Sequence, residues 1–165
     1  MQKTVSLRTL ACGAALFVVA TLSQAQTFNA GAPNCRFAVP VALGKGAAFW
    51  IGGCFSGHAE GPGVIRLQPK SGGAPHLFYG SLEEGIPQTG ILQLAEDQWQ
   101  PIWHFDANMN ALENTGGNMQ VTIDAFRAAS KGAYEASIRY SAAGNKTSAA
   151  FYARMASRFD KQMNE

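Results

Sequence analysis

Charge is scarce in this chain of 165 residues: Asp, Glu, Lys and Arg make up 15% of it, with no long run of one sign. Histidine is scarce too. His58, His76 and His104 stand alone, with no HxH or HxxxH spacing that would set two imidazoles on one metal. Cysteine is limited to three, none in a CxxC pair. The triplet "HAE" at 58–60 matches the front half of a zinc-deaminase signature, but the P-C-x-x-C that completes such a site is missing. "CFSGH" lacks the first glycine of a nucleophile elbow. "GHAEGPG" is not G-x-G-x-x-G and does not run into a helix, so it does not read as a phosphate cradle. These absences leave no expected metal, cofactor or catalytic residue. The motif-like acids Glu60, Glu83 and Glu84 read as turn or strand-surface carboxylates.

Apolar runs long enough to span a bilayer are absent as well. The one at the N-terminus, "TLACGAALFVVATL", is short. It follows Lys3 and Arg8 and precedes Ser23-Gln24-Ala25, the pattern of a secretory leader cleaved before Gln26. Cys12 precedes most of the apolar run, where a lipidation cysteine would follow it. The expected organisation is a signal peptide over 1–25 and one domain over 26–165. Two of the 13 Lys and Arg lie in the leader with none of the 11 acids, so the remainder carries 11 of each. A nucleic-acid partner needs a basic excess, and that class falls away. An exported protein in the periplasm or outside the cell is expected, without membrane association once the leader is gone.

What is present is patterned. Residues 26–118 are rich in Gly, Pro and aromatics. Short apolar runs alternate with turns: "RFAVPVAL", "AAFWIGG", "GVIRLQP", "HLFYGSL", "GILQLAED" and "WQPIWHFD" read as strands. "PKSGGAP" at 69–75 reads as an exposed loop. Residues 119–165 change period. Ile123, Phe126, Ala129, Ala133 and Tyr140 form one helical stripe, with Thr122 as the expected cap and Gly144 as the stop. Tyr152, Met155, Phe159 and Met163 form a second, capped by Thr147 or Ser148. Gly132 is a mild flaw in the first helix. The fold class is therefore α+β: short antiparallel hairpins in a meander sheet, then a helical hairpin that docks on it. Residues 26–119 hold four cations against seven acids, and residues 120–165 seven against four, which favours that docking. Cys35 and Cys54 are expected to form one disulfide. It would close a loop of about 20 residues, worth roughly 3 kcal/mol in the chain-entropy picture.

The stretch "FWIGGCFSGHAEGPGV" holds five glycines. Trp50-Ile-Gly52-Gly-Cys54-Phe-Ser-Gly57 parallels Phe78-Tyr-Gly80-Ser-Leu82-Glu-Glu-Gly85, each followed by a glycine-containing turn and an alternating strand. Each unit reads as a β-hairpin whose glycines allow a tight bend and close strand packing. The pattern resembles the MORN repeat. Gly52, Gly57, Gly61 and Gly63 match its glycine spacing, and Trp50 stands at its first aromatic position. The unit at 78–94 keeps Gly80 and Gly85 but carries Thr89 and Ile91 at the last two glycine positions. The resemblance implies stacked hairpins, with units at 50–67 and 78–94, that bind or scaffold and carry no catalytic residues.

Three functions fit these features. The first is a non-catalytic exported module that contacts an unidentified envelope protein, with Trp99 and Trp103 as candidate contacts. The second is a periplasmic inhibitor or immunity-type protein that inserts a loop such as 69–75 into an enzyme. The third, supported by no motif, is a cell-envelope hydrolase using a Glu/Asp pair.

Overall fold

The structure is a computed structural model that describes residues 28–114 and 116–163. The expected leader over 1–25, and Gln26, lie outside the described residues. The architecture is α+β: a sheet of eight mostly antiparallel strands followed by two helices. The strands are β1 (Ala30–Ala32), β2 (Cys35–Phe37), β3 (Gly46–Phe55), β4 (Gly57–Pro69), β5 (His76–Glu83), β6 (Ile86–Ala95), β7 (Gln98–Phe105) and β8 (Ala111–Glu113). From β3 to β8 the sheet is a meander, each strand paired with the next in sequence. The β1–β2 hairpin joins through a short parallel pairing of Cys35 and Arg36 with Gly57 and His58.

Alternation along the strands sends side chains to two cores. Val64, Leu77, Tyr79 and Ile91 face the helices. Ile65, Leu67, Phe78, Leu92 and Ile102 face the other way. That second face is closed by Phe37, Ala38, Val39 and Leu43, together with Phe105 and Met109. Here the structure departs from the sequence reading, which makes "RFAVPVAL" a strand. Strand geometry stops at Phe37, because Pro40 has no N–H for a ladder. The chain crosses the sheet instead and ends in a 3-10 turn over Val41–Leu43. Its amides are held across that face, Ala38 to the carbonyl of Gly85 at 2.8 Å and Val41 to that of Met109 at 2.9 Å.

The helices are α1 (Met119–Ala142) and α2 (Lys146–Gln162). Both start slightly earlier than expected, because asparagines cap them in place of the nearby Thr and Ser. Asn118 Oδ1 accepts from the Gln120 amide at 3.0 Å, and Asn145 Oδ1 from the Ser148 amide at 3.0 Å. Gly144, with φ +76°, ends α1 as expected. The stripes are buried: Phe126, Ala129 and Ala133 on α1, and Tyr152, Met155 and Phe159 on α2. Both helices pack on the sheet, α2 through long side chains. Phe159 meets Tyr79 at 5.0 Å between ring centroids and Trp99 at 5.2 Å. Asp97 and Arg158 pair across the layers at 2.6 Å.

The predicted structural glycines divide into two kinds. Gly57, Gly61 and Gly85 have φ of +83°, +79° and +81°, where a β-carbon is strained. Gly52, Gly63 and Gly80 have ordinary φ and are crowded instead. Together with Gly90 they pair in a row across four strands: Gly52 with Gly63, Gly63 with Gly80, and Gly80 with Gly90. On one face the Trp50 ring lies over Gly52 and Gly63, and the Phe78 ring over Gly80 and Gly90. On the other, α1 comes so close at Gly132 that a β-carbon there would strike the backbone of Gly63 and Gly80. Gly132, which local propensity marks as a flaw, is a point of close helix–sheet approach.

Candidate functional site

Cys35 and Cys54 form a disulfide with Cα atoms 5.4 Å apart. It lies at one end of the sheet, where several connections converge. The β3–β4 turn passes through Ser56 and Gly57 at φ 48° and 83°. The β5–β6 turn passes through Glu84 and Gly85 at φ 49° and 81°. Two successive left-handed residues match the right-handed twist of the flanking strands, which is why each turn is tight. The turns are tied together: the Glu84 amide donates to Glu60 Oε2 at 2.8 Å, and the Gly85 amide to the Ala59 carbonyl at 2.9 Å. The β7–β8 connection reaches the same end. Asp106 organises it by accepting from the amides of Asn108 and Asn110, each at 2.8 Å, and from Asn110 Nδ2 at 2.9 Å. The Asn110 side-chain bond, then the Asn110 and Asn108 amides, hold the Asp106 carboxyl below its ordinary pKa.

Between these connections lies an open depression of about 350 Å³, lined by Glu83, Glu84, His104 and Asp106 around Ile86 and Met109. Aromatic side chains flank the same end. Phe55 is 72% exposed and Trp103 59%. Phe28 packs on the His58 ring at 4.9 Å and under the Arg36 guanidinium at 5.6 Å. The rim thus combines fixed acidic groups with exposed aromatic surface. That chemistry suits a partner with cationic and apolar side chains. Of the rim carboxylates, Glu60 and Asp106 are engaged in holding backbone amides.

Trp99 and Trp103 share β7 but are not brought together. Trp99 packs between Phe126, at 6.4 Å, and Phe159, under the Arg158 guanidinium at 4.6 Å. Its indole nitrogen is buried without a hydrogen-bond partner. Trp99 belongs to the helix–sheet junction, and Trp103 stands in solvent at the rim. Phe55 is a rim residue that sequence reasoning did not single out. The signal was available: paired glycines at 57 and 85 put both hairpin turns at one end, and Phe55 precedes the first.

Among the described residues no group of three or more His, Cys, Asp or Glu is placed to hold a metal, and no helix is long and apolar enough to cross a membrane. The loop at 69–75 lies at the opposite end of the sheet. It is exposed but pinned, with the Lys70 amide on the Lys45 carbonyl at 3.1 Å and Gln68 Nε2 on the Gly73 carbonyl at 3.0 Å. Comparison with known proteins finds no matching family, no matching curated protein and no matching solved structure.

Proposed function

We propose that this protein is an exported, non-catalytic binding module that contacts another envelope protein through the turn-end rim. The observation that carries this reading is the exposure of Phe55 and Trp103 at the end of the sheet that also holds the acidic depression. Large aromatics are the residues that most often anchor protein interfaces. Each face of the sheet is covered, by the helices or by residues 37–43, which favours its ends over its faces as a contact surface. The disulfide supports export, because such bonds persist in oxidising compartments. The non-catalytic reading is supported by the use of Glu60 and Asp106 as backbone acceptors. Two features support reading the hairpins at 50–67 and 78–94 as degenerate MORN-like units: each turns through two left-handed residues, and each lays one aromatic ring over a cross-strand glycine pair.

The test is affinity capture from cell envelopes with mass spectrometry, comparing the wild type with Phe55→Ala/Trp103→Ala. One or a few envelope proteins should be recovered with the wild type and lost with the variant, at unchanged melting temperature. Equal recovery by both would remove the rim from the reading. A second reading, an inhibitor that inserts loop 69–75, is favoured by the pinning of that loop, since a preordered loop loses less entropy on binding. It predicts capture of a single enzyme at near-stoichiometric yield, abolished by deletion of residues 71–74 and untouched by the rim variant.

A further inference from the structure

We propose that the depression where β3 begins and β4 ends binds the phosphate group of a small phosphate monoester. The depression is open, about 460 Å³ in volume, and its lining includes Asn29, Ala30, Val39, Lys45, Ala48 and Lys70. It lies at the end of the sheet opposite the rim. It is on the side closed by residues 37–43, since Val39 belongs to that core and Ala30 and Ala48 pack against it.

The charge that lines it is of one sign. Gly46 pairs with Pro69, and one step further out the Lys70 amide donates to the Lys45 carbonyl at 3.1 Å. Lys45 and Lys70 are therefore cross-strand neighbours, and both border the depression. Like charges set opposite each other destabilise a strand pair. No acid stands in the lining to offset them, and neither lysine has an ion pair among the described residues. The acids lie elsewhere. Glu60, Glu83, Glu84 and Asp106 are at the rim end. Asp97 sits at the β6–β7 turn, paired with Arg158, and the acids of α1 and α2 belong to the layer on the other face. A neutral donor joins the two cations. Asn29 Oδ1 accepts from the Val39 amide at 3.0 Å, which fixes the side chain, and its Nδ2 meets no acceptor among the described residues.

Two ammonium groups call for two negative charges, and a phosphate monoester carries about −1.5 to −2 at pH 7. Lysine engages phosphate as a point charge, so a flexible pair on adjacent strands suffices. The volume exceeds that of a bare phosphate, and Ala30, Val39 and Ala48 offer apolar wall to a short organic stem. The site is independent of the rim, and neither reading needs the other.

The experiment is titration of the purified, disulfide-bonded protein with glycerol 3-phosphate, followed by amide shifts in nitrogen–proton correlation spectra. The Asn29 side-chain amide and the backbone amides of Gly44, Lys45, Gly46 and Lys70 should move together and saturate. A dissociation constant on the order of 1 mM is expected for a ligand of this size. Binding should be several-fold weaker at about 0.5 M salt than at low salt. Lys45→Gln/Lys70→Gln, both at exposed positions, should lose at least about tenfold in affinity at unchanged melting temperature, and Lys45→Arg/Lys70→Arg should keep most of it. Asn29→Asp, which still accepts from the Val39 amide but replaces the donor by a carboxylate oxygen, should also weaken binding. No saturation by about 20 mM, shifts confined to other residues, or affinity unchanged in the double glutamine variant overturns the proposal. Succinate binding as tightly as glycerol 3-phosphate overturns the phosphate assignment, and so does binding only to vesicles of phosphatidylglycerol.

Discussion

Replacing Gly132 by alanine sets two physical effects against each other. In an isolated helix the change is favourable by about 1 kcal/mol, because glycine is the more costly residue to order. In this protein the new β-carbon would lie 2.9 Å from both the amide nitrogen and the carbonyl oxygen of Gly80, and closer still to the carbonyl oxygen of Gly63. These are backbone atoms in the middle of the sheet and have no rotamer to change. Helix α1 must therefore retreat. A gap of about 0.5–1 Å forfeits a quarter to a half of the dispersion energy across the contact. Added methyl groups in a packed core cost roughly 1–3 kcal/mol, and rigid partners put this site at the upper end. Less the helix-propensity gain, the net loss is about 1–2 kcal/mol, or a fall of roughly 3–8 °C in melting temperature for a domain of this size. Urea and thermal unfolding measure the change. A synthetic peptide covering Met119–Ala142 supplies the control, because there the same substitution should raise helicity. Stabilisation of the whole protein by Gly132→Ala would refute the close contact with Gly63 and Gly80.

The other glycines separate strain from crowding. Gly57→Ala meets no atom closer than the Pro33 carbonyl oxygen at 3.9 Å, so its cost comes from φ alone, about 1–2 kcal/mol. Gly63→Ala strikes the Trp50 ring, and Trp50→Leu should relieve part of its loss in a double-mutant cycle while leaving the Gly57→Ala loss unchanged; strictly additive Gly63 and Trp50 effects would count against the ring contact. Without reductant, neither Cys35 nor Cys54 should be alkylated, and reduction should lower stability by roughly 3 kcal/mol; labelling of either cysteine in the folded oxidised protein would contradict the pairing. Burial pushes the phenols of Tyr79 and Tyr152 above the ordinary value of 10.0. Beyond that pH the unfolded chain ionises them while the folded one keeps them neutral, so stability should fall as pH rises from about 9 to about 11. Urea midpoints that stay flat over this range would show that the two phenols are open to water.

Much of the fold could be read from local pattern. Alternation located β3 to β7, because a strand buried on both faces still needs turns at its ends, and glycine marks them. The two helical stripes were visible because Phe126 and Ala133, or Tyr152 and Phe159, recur at the helical period. The path of residues 38–43 was not legible. Ala38, Val39 and Leu43 look the same in a strand and in an irregular segment, and what decides between them is a partner distant in sequence, the carbonyl of Gly85 or of Met109. β1 and β8 were missed for a related reason, since three-residue strands have no period. Trp99 and Trp103 could not be told apart by type. Their difference lies in α1 and α2, which bring Phe126 and Phe159 over the first and leave the second uncovered. The rim was half legible, through the turn glycines, but its acids could not be recognised as turn ties without the register that sets Glu60 beside Glu84.

The row formed by Gly52, Gly63, Gly80 and Gly90 bears on how the strands must align. A slip of one residue in any of four strands would exchange its two faces and replace a glycine in the row by a neighbour such as Pro62, Val64 or Tyr79. The trough under Gly132 would then be blocked and α1 would have no seat. The seat of α1 therefore exists only in the native register: in a misaligned meander the helix layer would lose its closest contact with the sheet.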